Sequence, residues 1–154
     1  MLGQKEVPSR AGGIEVAVEE LAVRMVARGH EVTLYNCCRQ GMRRAGKREK
    51  NKTYKGVQIC EIFVPNIRGV AAALGSVIAT IRAVSKKYDC IHFHAEGSAV
   101  VSFLPHFFGI RTVVTIHGLD WQRSKWGSFA ACYLKLGERV AVSSADKIIV
   151  LSRA

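Results

Sequence analysis

Strands alternating with helices predict an α/β domain, a Rossmann-like parallel sheet with helices on both faces. Short β-branched runs alternate with stretches of helical apolar spacing, and runs such as VVTI are near-continuous in Val and Ile, as strands buried on two sides are. The 154 residues, 49% hydrophobic and 23% charged, amount to one domain with enough apolar material for a core without disulfide or metal staples.

Each element follows from its own pattern. Ile14, Val18, Leu21, Ala22, Met25 and Val26 recur at helical spacing and predict an amphipathic helix over residues 14–28, stopped by Gly29. Residues 31–36 (EVTLYN) and 57–64 (VQICEIFV) read as strands. Between them, residues 39–55 read as a basic loop with eight Lys or Arg against the single acid Glu49. Leu74, Val77, Ile78, Ile81 and Val84 predict a helix over 70–87, and a buried-type strand follows at 90–94. A third helix is expected from about Ser98, kinked or interrupted by Pro105 and ended by Gly109. Residues 111–116 (RTVVTI) form another strand, 129–143 a helix and 147–151 (KIIVL) a last strand. Only Met1 and Leu2 precede the first glycine-containing loop, whereas a strand usually needs ~5–6 residues. The domain is therefore expected to lack most of its central strand.

Charge and cysteine usage narrow the setting. Lys and Arg number 23 against 12 acids, a formal charge of +11, so nucleic acid, phosphates and an anionic membrane face are the partners to weigh. No RNP sequence, zinc finger or recognition helix accompanies the charge, and no nucleic-acid partner is expected. Five cysteines, Cys37, Cys38, Cys60, Cys90 and Cys132, form no C-x-x-C pair and read as reduced thiols of a cytoplasmic protein. No signal-peptide core opens the chain, and its uncharged stretches fall short of the ~18–20 residues that span a bilayer. A soluble or peripheral protein is expected.

In such sheets ligands bind at the carboxyl ends of the strands, so the loops after them hold the candidate residues. Gly12 and Gly13 end the first loop against a helix start, where free N–H groups and the positive end of the dipole suit a phosphate; a plain strand-to-helix turn is the alternative. His92 and His94 share a strand face with Cys90, and Glu96 follows. A metal cluster is disfavoured, because residues two apart on one strand rarely converge without ligands from elsewhere. His94 is expected to line a cleft and His92 to be packed. His117 stands where the VVTI strand ends, placed to point into the crevice. Trp121 and Trp126, with Arg123, Lys125 and Phe129, read either as a substrate platform or as a flap packed over the sheet end. His30 and His106 read as structural or surface residues. No G-x-S-x-G elbow supports a serine hydrolase.

The stretches GQKEVPSRAGGIEVAVEELAVRMVARGHEVTLY, DCIHFHAEG and VVTIHGLDWQRSKWGSFAACYLKLGERVAVSSADKIIVLS together resemble the N-terminal domain of bacterial family-4 retaining glycosyltransferases of the GT-B fold. The resemblance covers nearly the whole chain, and rests on the order of G-G-x-E, R-G-H-E-V, H-x-H and T-x-H-G-L-D-W-Q-R. It implies transfer of a sugar from a nucleotide-sugar donor to a hydroxyl of a glycan or lipid-linked acceptor, with retention, in cell-surface polysaccharide biosynthesis. No metal is implied, and no cofactor beyond the nucleotide-sugar co-substrate. By position, Gly12 and Gly13 match the turn touching the donor diphosphate, and His117 the catalytic histidine beside the transferred sugar. His94, Glu96, Asp120 and Trp121 fall on the acceptor side. Residues 1–154 then correspond to the acceptor-side half, incomplete at both ends. The nucleotide-sugar-binding domain with its E-x7-E element is absent, and the 154 residues alone are expected to be inactive. A competing reading is a non-catalytic module that binds anionic membrane or nucleic acid through residues 39–55. A peripheral position on the inner face of the cell membrane is compatible with either.

Overall fold

The computed structural model describes residues 1–39, 52–65, 70–122 and 127–151. It is a three-layer α/β arrangement whose strands form two three-stranded sheets. In the first, β1 (Thr33–Arg39) pairs in parallel with β3 (Val57–Val64), and β2 (Lys52–Tyr54) lies antiparallel on the far side of β3. In the second, β4 (Cys90–His94), β5 (Arg111–Ile116) and β6 (Lys147–Val150) are all parallel, in that order.

Met1 and Leu2 join the two sheets. The Met1 amino group donates to the Thr33 carbonyl at 2.7 Å, and Tyr35 N–H donates to the Met1 carbonyl at 3.0 Å. On the other side Leu2 N–H donates to the His92 carbonyl at 3.0 Å and His94 N–H to the Leu2 carbonyl at 2.9 Å, a parallel bridge to β4. Two residues thus occupy the position between β1 and β4, the place where the sequence predicts a depleted central strand. Leu2 is fully buried there, beside Phe93, Tyr35 and Ile62.

The helices cover the sheets by close approach of small residues. Helix α1 (Gly13–Ala27) buries Val18 and Ala22 against Val32, Leu34 and Val57. Helix α2 (Ala71–Val84) buries Ala71, Gly75, Ala79 and Ala83, packs Ile78 and Val84 partly buried against the same core, and leaves Ile81 exposed. A side chain on Gly75 would meet the Cys37 sulfur. The buried hydroxyls of Ser76 and Thr80 are satisfied by the carbonyls of Ala72 and Ser76, four residues back. Helix α4 (Ser128–Ser144) buries Leu134, Gly137 and Ala141, and Gly137 lets it rest directly on the Glu96 carbonyl of α3 (Glu96–Ala99).

Several predicted elements shift. The third helix breaks into the single-turn α3 and a 3-10 helix, Leu104–Phe108, with Pro105 in the first turn, where its missing N–H is harmless. Strand β1 runs on to Arg39, and β2 lies inside the segment read as a basic loop. Residues 40–51, the greater part of that loop, lie outside the described residues. Strand β6 falls where the sequence predicts a last strand and is exposed along its length, pairing among the described residues with β5 alone.

Candidate functional site

The parallel strands direct three loops to one sheet edge. Leu2 runs parallel to β4, and β4 to β5, so the loops beginning at Gly3, Ala95 and His117 leave from the same carboxyl ends. The first loop is pinned across that edge. Gln4 donates from its side chain to the Tyr35 carbonyl at 3.1 Å, Cys37 N–H to the Lys5 carbonyl at 2.9 Å, and Asn36 brackets Val7 with two hydrogen bonds. Gly3 makes the first bend with φ +107°, and a Cβ there would collide with the His94 carbonyl. The loop therefore passes directly against β4 because no side chain intervenes.

The loop ends at the α1 N-terminus. Gly12 is the extended N-cap residue, with no side chain capping the first turn, and Gly13 has no atom within 4 Å of where a Cβ would stand. Glu15 folds back against Gly12 and accepts from Lys5 N–H at 3.4 Å. Its carboxylate complements the positive end of the helix dipole and ties the loop to the helix. One turn on, the buried Glu19 accepts from Tyr54 at 2.9 Å and pairs with Arg10 at 3.2 Å and Lys55 at 3.5 Å, clamping the loop and the β2–β3 hairpin onto α1. Neither Glu15 nor Glu19 figures among the sequence candidates.

Alternation along β4 places His92 and His94 on one face and Ile91 and Phe93 in the core on the other. The two imidazoles stack with centroids 4.1 Å apart. His92 Nε2 lies 2.7 Å from Thr115 Oγ1 on β5. His94 pairs with Thr115 in the strand register, so His117, two residues further, falls on the same face beside it. His94 Nδ1 and His117 Nε2 are 3.2 Å apart. Burial pushes the His92 ring down to about 4, helped by the Met1 ammonium and His117. Burial pushes His94 further, to about 2, with His92, His117 and Met1 adding to the effect. Both rings are neutral at physiological pH.

After His94 the chain turns sharply. Ala95 has φ +73°, a conformation that side-chain-bearing residues seldom adopt, and its N–H donates to the Thr115 carbonyl at 2.9 Å. Ser98 Oγ donates to the His94 carbonyl at 2.7 Å, closing the turn. Glu96 is 1% exposed, at the junction of α3 and α4. His94, expected to line a cleft, and Glu96, expected on the acceptor side, are thus both interior, whereas His117 is half-buried at the rim.

Beyond Gly118 the chain enters a 3-10 turn, Asp120–Gln122. Trp121 donates from Nε1 to Glu138 Oε2 at 3.0 Å, and Lys135 Nζ stands 4.5 Å from its ring centroid, so the described contacts of Trp121 are with α4. The side chain of Asp120 lies outside the described residues, as do Arg123, Lys125 and Trp126. His30 and His106 lie away from this edge, on the turn after α1 and in the 3-10 helix. Among the described residues no helix is long and apolar enough to cross a membrane.

One sheet edge thus carries the α1 start, where the helix dipole favours negative charge, and the His117 imidazole, held at the rim by His94. No curated protein matches the chain. The sequence model of Glycosyltransferase Family 4 matches residues 11–154, from the α1 turn through His94, His117 and β6. With a match over nearly its whole length and a Rossmann-like α/β fold to carry it, the chain belongs to glycosyltransferase family 4.

Proposed function

We propose that this chain is the acceptor-side domain of a retaining GT-B glycosyltransferase. Such an enzyme moves a sugar from a nucleotide-sugar donor to a hydroxyl of a glycan or lipid-linked acceptor, in cell-surface polysaccharide biosynthesis on the cytoplasmic face of the membrane. The observation that carries the reading is the convergence of the Gly12–Gly13 turn and the His94–His117 pair at one sheet edge. In this assignment the donor diphosphate meets the N–H groups at Gly12 and Gly13. Those dipoles are fixed before reaction and stabilise negative charge as the leaving diphosphate forms. His117 lies beside the transferred sugar and orients it, and the acceptor enters past Asp120. His94 and Glu96 support this wall from behind.

The nucleotide and most of the donor sugar are held by a second Rossmann-like domain with an E-x7-E element, which is not found in these 154 residues. A protein of these residues alone accordingly does not turn over, since donor affinity and most leaving-group stabilisation reside elsewhere. The test is sugar transfer from labelled nucleotide-sugars. The two-domain enzyme transfers, the 154-residue chain does not, and in the two-domain enzyme His117→Ala lowers kcat far more than His106→Ala. Equal effects of the two substitutions, or turnover by the 154-residue chain, would contradict the assignment.

A further inference from the structure

His94 is 1% exposed and cannot touch a substrate, yet its ring is bonded to the one histidine of the cluster that reaches the rim. A neutral imidazole carries one N–H and one bare nitrogen, and the surroundings decide which is which. His94 Nε2 is buried with no hydrogen-bond partner among the described residues, while Nδ1 lies 3.2 Å from His117 Nε2. A proton on Nε2 would bury an unpaired donor. A proton on Nδ1 buries only an unpaired acceptor lone pair and makes the bond to His117. Among buried backbone groups, orphaned N–H donors are rarer than under-satisfied acceptors, and the same desolvation argument favours Nδ1–H here.

The ring is also held against rotation. Its backbone is fixed on one side by the Leu2 carbonyl and on the other by Ser98, and its face is stacked on His92, itself bonded to Thr115. The chain turns immediately after it at Ala95, whose positive φ is held by the N–H bond to the Thr115 carbonyl.

We propose that His94 is a positioning residue that sets the tautomer of His117: His94 Nδ1–H donates to His117 Nε2, so neutral His117 carries its own proton on Nδ1. His117 is then a hydrogen-bond donor through Nδ1–H, suited to an oxygen of the donor sugar or diphosphate, and its Nε2 is already engaged and does not act as a base. The chemical role rests on the reading of His117 as sugar-facing; the tautomer does not.

The test is long-range proton–nitrogen NMR of the nitrogen-15-labelled 154-residue chain at pH 7.5. Protonated Nδ1 and bare Nε2 on both His94 and His117 are expected. A His117 ring protonated on Nε2 in the unaltered chain overturns the proposal. His94→Asn, which places an amide donor near the Nδ1 position, retains the His117 tautomer. His94→Leu, which removes the donor, lowers the Nδ1–H fraction of His117 several-fold. A folded His94→Leu variant with an unchanged His117 tautomer also overturns it, and if that variant does not fold, the unaltered and His94→Asn spectra still decide. Should the tautomers appear as expected while His117→Ala leaves transfer by the two-domain enzyme intact, the pairing stands and the sugar-facing role falls.

Discussion

The helix start at Gly12 and Gly13 lies at the surface, with clear space around Gly13 and the Glu15 carboxylate folded back against Gly12, whereas the imidazoles of His92 and His94 are buried. In the proposed assignment the difference follows from what each region has to hold. A diphosphate brings its own charge, and unpaired N–H groups at a helix start are comfortable in water until it arrives. An imidazole whose tautomer matters has to be kept from water, which would exchange partners with either nitrogen. One half of the site is therefore solvated, and the other is dry and preorganised.

If the comparison is right, glycines at the two regions answer differently to the same change. Gly3→Ala has the largest effect, because left-handed backbone costs a side-chain-bearing residue about 1–2 kcal/mol and overpacking adds about 1–3 kcal/mol. Its Cβ meets the His94 carbonyl, so a loss of roughly 3 kcal/mol is expected, together with disturbed His94 and His117 ring signals. Urea unfolding and the same NMR spectra check it. A variant as stable as the parent would show that the loop does not press on β4.

Acid comes next. His92 and His94 are neutral in the folded chain, pushed down to about 4 and about 2, while the unfolded imidazoles titrate near the ordinary 6.5. Below 6.5 the unfolded state binds protons the folded state refuses, so stability present above that pH is lost as pH falls. For each ring the slope approaches about 1.4 kcal/mol per pH unit within its window. The Met1 amino group, pushed down to about 5 by burial, acts in the same direction. Thermal melts from pH 7 to pH 4.5 should show a steady fall in Tm; a flat profile would mean that the histidine face is wet.

Smaller effects sharpen the boundary of the site. Trp121→Phe removes the bond to Glu138 while keeping the aromatic face under Lys135, a loss of about 1 kcal/mol with the histidine signals unmoved. Coupled changes at His117 would instead place Trp121 within the site. Gly13→Ala meets nothing and replaces a glycine at a helix start, so stability should hold or rise by about 0.5–1 kcal/mol. In the two-domain enzyme the same substitution is expected to raise the KM for donor, the signature of a turn built for close approach and not for stability.

Much of this fold is legible in single residues and their spacing. The period of α1 and the β-branched runs of β3 and β5 read correctly because each element's pattern is local. Strand β2 does not, since three residues of a charged run become a strand only by folding back on β3 at Lys55 and Gly56. The exposure of β6 depends on what lies beside it, which no local pattern records. The site divides in the same way. Alternation puts His92 and His94 on one face, but only the register of β4 against β5 brings His117 to His94, and only the absence of a side chain at Gly3 lets the first loop lie against the His94 carbonyl. The burial of Glu96 likewise follows from α4 docking through Gly137.

The central claim, that the Gly12–Gly13 turn and His117 form one anion-facing edge, is tested most directly by titrating the labelled 154-residue chain with inorganic pyrophosphate and following amide and imidazole signals. The account predicts saturable shifts at Gly12, Gly13 and the His117 ring, and loss of the shifts at residues 12 and 13 in Gly13→Ala. Shifts confined to the basic side chains of residues 39–55, with Gly12, Gly13 and His117 unmoved, would contradict it.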